Sequence, residues 1–228
     1  MLKTVANSPM ITIKPPLFML MIMNLYEYLL STFGTDEPFY TTEINYGEYS
    51  KPWLYKELNK LCEDGKIIRY ERGLYYIPTQ TIFGPSILDP NKVITKKYIN
   101  DGKDTVGFYS GVTFLNQLRL TTQCPNVIEI YTNNEPSNVR DATVGKQRVL
   151  LRRARTTVNA RNAAVLSFLE MMNTIPSKFV DEDKKPLIEK YISDNRITRK
   201  DILQYAPLFP DKAIRTLVES ELIYSVAQ

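Results

Sequence analysis

Residues 50–78, SKPWLYKELNKLCEDGKIIRYERGLYYIP, contain the most regular pattern in the chain. Ser50 is a residue that caps a helix amino terminus, and Pro52 stands near the first helical position, where the missing N–H is not needed. An apolar stripe follows at i, i+4 and i+7, formed by Leu54, Leu58 and Leu61. Gly65 is a typical helix stop. The pattern therefore predicts an amphipathic helix that begins after Ser50 and ends at Gly65.

The runs KIIRY and LYYIP follow this helix, separated by Glu71, Arg72 and Gly73. Two short β-rich runs around a glycine predict a hairpin. A first helix is predicted over 17–33 and a short element over 39–46. This order of helices and a ribbon is typical of a winged helix-turn-helix domain, predicted over residues 17–79 after a flexible tail at 1–16.

If the leucines face the core, the polar side of the helix faces outward. The outward residues are Lys51, Tyr55, Lys56, Asn59 and Lys60. Such a face suits the DNA major groove, while Arg69 and Arg72 on the ribbon suit a phosphate or the minor groove. Lysines on a helix surface are often only solvated, and winged helices also dock proteins. Residues 51–72 carry six basic and four acidic side chains, and we favour DNA binding over these alternatives.

Composition argues against an enzyme. The 228-residue chain has a net charge of +4 and no histidine, the commonest general base and metal ligand. Cys62 and Cys124 lack metal-ligand spacing, and no Gly-rich phosphate loop occurs. We predict no catalytic residue, no metal and no cofactor. The apolar stretch PPLFMLMIMNLYEYLL is too short to span a bilayer and lacks a cleavage site, which favours a buried helix. The two separate cysteines are typical of reduced thiols in a cytoplasmic protein, and we expect no membrane partner.

The rest of the chain predicts an α+β protein with two further segments. Residues 80–175 form a predicted small α/β domain, with a strand at 126–132 and another at 146–155. They carry 12 basic and 7 acidic side chains, so most of the positive excess lies here. Residues 176–228 carry nine of each and predict three short amphipathic helices.

A basic run lies inside the middle domain, because residues 142–169 contain no acidic side chain. The run consists of Lys146, Arg148, Arg152, Arg153, Arg155 and Arg161. On a strand, Arg153 and Arg155 would share one face and Arg152 the other. The run suits a phosphate-tracking patch or a surface for an acidic protein partner. It also suits a solvated sheet edge, where charges prevent strand pairing.

Two segments together resemble the AbiEi family, the antitoxins of type IV toxin–antitoxin systems involved in abortive infection. The first is the helix and ribbon LYKELNKLCEDGKIIRYERGLYYIP, and the second is YSGVTFLNQLRLTTQCPNVIEIYTN. The family shows a similar "G…N.L.L.TQ.P" pattern. It is carried here by Gly111, Asn116, Leu118, Leu120, Thr122, Gln123 and Pro125. The resemblance covers most of residues 20–175 and leaves the tail after residue 176 unmatched.

The resemblance implies a repressor that binds its own promoter as double-stranded DNA. It also implies an antitoxin that opposes a nucleotidyltransferase-like toxin, in many cases without a stable complex. The DNA contacts would be Lys51, Trp53, Tyr55, Lys56, Arg69 and Arg72, with Ser50 at the helix start. The basic run would add phosphate contacts or the antitoxin surface. A monomer or weak dimer is expected, and the alternatives are a protein-interaction module and a stand-alone ligand-sensing transcription factor.

Overall fold

The computed structural model describes residues 24–45, 47 and 50–226, which form a mixed α and β structure. Two compact units divide between Lys92 and Val93. The described elements before the division are α1 (Leu25–Phe33), β1 (Phe39–Tyr40), a 3-10 turn (Thr41–Glu43), α2 (Lys51–Glu63), β2 (Ile68–Glu71), β3 (Leu74–Tyr76), β4 (Gln80–Thr81) and β5 (Gly84–Pro85). Helix α3 (Pro90–Tyr98) spans the division.

The first unit is built around a three-stranded antiparallel sheet in the order β1-β3-β2. Helices α1 and α2 share its core, whose fully buried members include Leu29, Phe39, Leu58, Ile67 and Ile77. The predicted helix over 17–33 is described from Leu25 onward, and α1 starts with a capping box between Asn24 and Glu27. The predicted start at residue 17 and the tail 1–16 lie outside the described residues.

A second hairpin, β4–β5, follows the first sheet and was not predicted. Asp36 holds its base, since the carboxylate accepts hydrogen bonds from the Thr79 backbone N–H (3.3 Å), the Thr79 hydroxyl (2.6 Å) and the Ser86 hydroxyl. Lys92 adds a bond to the Asp36 carbonyl (2.8 Å) and an ion pair with Glu37 (2.6 Å). Residues 80–92, predicted to open the middle domain, therefore belong with the first unit.

The second unit contains a four-stranded sheet in the order β6-β7-β9-β8. Its strands are β6 (Gly107–Ser110), β7 (Val127–Thr132), β8 (Val139–Val144) and β9 (Gln147–Arg153). Strands β7 and β9 pair in parallel, while β6 and β8 pair antiparallel with their neighbours. The predicted strand at 126–132 is present. Strand β8 was missed, and the strand predicted over 146–155 ends at Arg153.

Five helices complete the second unit after β6. They are α4 (Gly111–Gln117), α5 (Ala163–Thr174), α6 (Lys185–Asp194), α7 (Arg199–Tyr205) and α8 (Asp211–Glu219). The central helix α5 buries Phe168, Leu169 and Met172 in a core that extends to Val226. The three predicted carboxyl-terminal helices are present, but they share this core with the segment before residue 176. The described residues 176–226 are therefore part of the second unit.

Candidate nucleic-acid interface

Helix α2 owes its position to its cap and its apolar side. The Ser50 hydroxyl accepts a hydrogen bond from the Trp53 backbone N–H at 3.4 Å, which satisfies one of the open donors of the first turn. Leu58 and Leu61 are buried in the first core, and Leu54 packs against it. The remaining side of the helix faces solvent, as the leucine spacing predicts.

The exposed side of α2 consists of two neighbouring rows at a spacing of four residues. Lys51, Tyr55 and Asn59 form the first row, and Lys56 and Lys60 form the second. Tyr55 is 48% exposed, and the three lysines are exposed too. No carboxylate among the described residues forms an ion pair with these lysines. Their charge is available to an external anion. We call these five residues the α2 face.

The β2–β3 ribbon carries the two predicted arginines. Gly73 turns the ribbon with a φ of +79°, a conformation that favours glycine. Arg69 and Arg72 are both exposed, and the Arg69 Nε donates to the Glu71 carbonyl at 3.4 Å. That bond holds the Arg69 stem against its own ribbon. Trp53 differs from the other predicted contacts, because it is only half-exposed.

Burial affects two titratable side chains of the first core, Cys62 and Tyr75. Burial raises the pKa of the Cys62 thiol, although Arg69 opposes the shift. Burial also raises the pKa of Tyr75, again against the effect of Arg69. A thiol with a raised pKa is a weak nucleophile at neutral pH. The arrangement around α2 therefore suits recognition of a ligand and offers no activated nucleophile at Cys62.

The basic run of the second unit differs from the α2 face, because carboxylates accompany half of it. Arg155 lies 3.3 Å from Glu170, Arg152 lies 3.9 Å from Glu129, and Arg148 lies 4.0 Å from Asp141. The members that form no ion pair within the described part of the chain are Lys146, Arg153 and Arg161. The run therefore presents less net charge than its sequence indicates.

The partners Glu129 and Glu170 were missed by the sequence reasoning. Each lies 15 or more residues from its arginine, and only the sheet and α5 bring them together. The alternation expected to place Arg155 beside Arg153 also fails, because β9 ends at Arg153. Arg155 lines one cavity together with Arg152 and Arg153, and a second cavity together with Arg152.

A second missed feature is the apolar surface of the β4–β5 hairpin, at its tip and just after β5. Ile82, Phe83 and Ile87 are 93%, 95% and 92% exposed. The stretch 78–88, PTQTIFGPSIL, has no charged residue, and this composition was the available signal. Isolated exposed apolar residues are ordinary, but three such side chains on one short segment are typical of an interaction site.

In ranges 24–45 and 50–226, no group of three or more Cys, Asp or Glu side chains could hold a metal ion. None of the helices described there has the length and apolarity needed to cross a membrane. No protein-family model, curated protein or solved structure matches the chain.

Proposed function

We propose that the protein is a DNA-binding transcriptional repressor that recognises its own promoter through a winged helix-turn-helix domain. The observation that carries the proposal is the α2 face, where three exposed lysines flank Tyr55 and Asn59 and form no ion pair within the described residues. Cations that hold no internal partner can neutralise phosphates without breaking a contact of the fold. The amino-terminal end of the helix carries Lys51, Tyr55 and Lys56, where recognition helices meet base edges.

The order of elements supports the same assignment. The first unit runs α1, β1, a 3-10 turn, α2, β2 and β3, with the sheet order β1-β3-β2. In this proposal α2 is the recognition helix, and the turn at Thr41–Glu43 occupies the place of the helix before it. The ribbon with Arg69 and Arg72 is the wing, which contacts the adjacent backbone.

The test is a binding titration of the full chain on its upstream promoter and on a scrambled duplex, at two salt concentrations. We expect promoter preference and a steep loss of affinity with salt. Lys56→Ala or Tyr55→Ala should reduce the preference by roughly 1–3 kcal/mol if a base contact is lost. Lys200→Ala, which removes an exposed lysine of the second unit, is the control and should leave it unchanged. Absence of binding to either duplex would refute the proposal.

We further propose that this repressor is the antitoxin of a type IV system, as its resemblance to the AbiEi family implies. Support comes from the second family-like segment, which folds here as β6, α4 and β7. Asn116 holds the loop between α4 and β7, donating to the carbonyls of Thr121 (3.4 Å) and Gln123 (3.2 Å). Expression of the chain should restore growth of cells that carry a neighbouring nucleotidyltransferase-like toxin gene. Unchanged toxicity would contradict the assignment.

The β4–β5 hairpin favours a second candidate function, docking to a protein. Its exposed Ile82, Phe83 and Ile87 stand in an uncharged stretch, so a polyanion has nothing to pair with there. The bonds to Asp36 hold the hairpin base, which favours insertion of the tip into an apolar pocket of a partner. For this candidate the partner is the toxin, in contrast to the many AbiEi-like antitoxins that oppose their toxin without a stable complex. Phe83→Ser should abolish neutralisation and leave DNA affinity unchanged, while Leu203→Ser, at a 73% exposed position, should change neither. Full neutralisation by Phe83→Ser would remove this candidate.

A further inference from the structure

An open groove lies on the four-stranded sheet of the second unit. Its volume is about 860 Å³, and it is lined by the ends of β7 and β9, by the start of β8 and by the loop after β9. A smaller cavity of about 380 Å³ reaches to α4 and α5. Both are lined by Tyr131, Arg152 and Arg155. These three residues therefore stand where the two spaces meet.

Arg155 is held in place by a buried carboxylate. Its Nε lies 3.3 Å from Glu170, whose side chain is only 6% exposed. Glu170 also accepts hydrogen bonds from the Tyr131 hydroxyl (3.1 Å) and from Asn173 Nδ2 (3.2 Å). The guanidinium lies 5.0 Å from the Phe209 ring centroid, a cation–π contact. The orientation of Arg155 is therefore fixed from two sides.

Arg152 has a similar but looser support. Its Nε lies 3.9 Å from Glu129, a residue of the neighbouring parallel strand. Glu129 in turn packs against Gly111, where an added Cβ atom would collide with the carboxylate. Among the described residues, the terminal Nη nitrogens of Arg152 and Arg155 make no hydrogen bond. Two oriented guanidinium groups thus keep open donors at one groove.

The guanidinium donors of Arg152 and Arg155 are well suited to bind a phosphate group. Guanidinium forks bind phosphate with two parallel hydrogen bonds, and a third cation, Arg153, lines the same groove. A phosphomonoester carries about −1.5 to −2 charges at neutral pH. Asn138, Thr156 and Thr157 offer neutral polar groups around it for the rest of a ligand. The groove volume falls within the range of sites for small molecules, about 300–1,000 Å³.

The same groove is poorly suited to a long polyanion. Glu129 and Glu170 lie beside the two arginines and offset part of their charge, so little net attraction remains for phosphates that the guanidinium groups do not contact directly. A nucleic-acid track requires several cations in a row without such carboxylates. We propose that the groove binds a small phosphorylated molecule through its phosphate, with Arg152 and Arg155 as the ligands. Phosphate binding in the groove does not depend on the function of the α2 face.

The test is calorimetric titration of the full chain with inorganic phosphate and with each of the four nucleoside 5′-monophosphates. The nucleosides without phosphate serve as controls. At least one phosphate compound should bind, and the nucleosides should not. Arg152→Gln should weaken binding by about tenfold or more, because one charge-assisted contact is lost. Arg161→Gln removes an exposed arginine outside the groove lining and should leave the affinity unchanged.

Arg155→Lys is the second variant, since it retains a cation beside Glu170 and loses the fork. It should weaken phosphate binding while the thermal unfolding temperature stays close to that of the original chain. No binding of any phosphate compound at millimolar concentration would overturn the proposal, and so would equal binding of the nucleosides. Displacement of the bound compound by random duplex DNA, with the same dependence on Arg152, would assign the groove to a polyanion instead.

Discussion

Lys56 on α2 and Arg155 after β9 both belong to basic stretches of the sequence, but their surroundings differ. Lys56 has no ion-pair partner among the described residues, whereas Arg155 contacts the buried Glu170. The α2 face can therefore give its charge to a polyanion without loss of an internal contact. Arg152 and Arg155, near the end of β9, instead contribute to the fold through their contacts with Glu129 and Glu170. The number of basic residues in a stretch therefore does not show how many of their charges are free to bind an anion, or which kind of anion they bind.

The largest expected effect comes from breaking the pair in the second unit. Arg155→Met leaves Glu170 buried without its cation, and we expect a loss of about 2 kcal/mol in the free energy of unfolding. This is below the roughly 3–5 kcal/mol of a fully buried pair, because Arg155 is a third exposed. Denaturant unfolding measures it. The matched variant Arg161→Met removes an exposed arginine and should cost at most about 0.5 kcal/mol. Equal losses would show that the contrast with Lys56 is wrong.

A charge-matched comparison tests the same contrast through DNA binding. Lys56→Gln with Lys60→Gln should lower the affinity at low salt by about tenfold, or about 1.4 kcal/mol. The slope of log K against log salt should fall by about 2, since two cations that displace counterions from the DNA are lost. Arg148→Gln with Arg161→Gln removes the same charge from the second unit and should barely change the slope. Equal changes in both variants would mean that only total charge matters.

The anchor of the β4–β5 hairpin gives a smaller, pH-dependent effect. Burial opposes ionisation of Asp36, but hydrogen bonds from Ser86 and Thr79, with the Lys92 charge, hold its pKa below the ordinary value of 3.8. Asp36→Asn introduces a side chain that tolerates the observed φ of +57° and should cost about 1 kcal/mol.

A carboxyl group with a lowered folded-state pKa stabilises the fold above its ordinary pKa and loses this effect as the pH falls. The difference in stability between the original chain and the Asp36→Asn variant should therefore be complete above roughly pH 5 and shrink in more acidic solution. Unfolding titrations at several pH values measure it, and Glu63→Gln, at an exposed position of the same unit, is the control. A difference that does not vary with pH would exclude the charge of Asp36 as the cause.

The smallest expected effect concerns the start of α2. Ser50→Ala removes the acceptor of the Trp53 N–H. Because this hydrogen bond is long, at 3.4 Å, we expect a loss of about 0.5 kcal/mol in the free energy of unfolding. Ser50→Asp retains an acceptor and should recover the stability. The measurement is the unfolding free energy of the first unit. If Ser50→Asp is as unstable as Ser50→Ala, the cap does not stabilise α2.

Much of the first unit was predictable, because neighbouring residues in the chain determine it. The sequence places a helix with a leucine stripe between the cap at Ser50 and the stop at Gly65. The structure has this helix at Lys51–Glu63. The ribbon was found from its two β-rich runs around Gly73. The exposed lysines of the α2 face follow directly from the leucine spacing. Local sequence patterns were sufficient here, because each cap, leucine or glycine lies within a few residues of the helix or ribbon that it determines.

The second unit was less predictable, because its decisive contacts join distant residues. The alternating strand at 126–132 could be recognised, but its parallel pairing with β9 could not. Strand β8 was also missed, although it pairs with the following strand β9 through a tight turn at Gly145. The run 142–169 contains no acidic residue, so nothing within it predicts that Glu129 and Glu170 accompany two of its arginines.

The sequence by itself determined the local elements of the molecule. These are the capped helix α2 with its cationic face, the β2–β3 ribbon, the strand that ends at Thr132 and the three carboxyl-terminal helices. The tertiary structure alone decided which charges remain available. An ion pair depends on distance in space, and the sheet and α5 bring Glu129 and Glu170 to their arginines. The tertiary structure also determined the exposure of Ile82 and Phe83 at the hairpin tip, because exposure depends on what packs around a side chain.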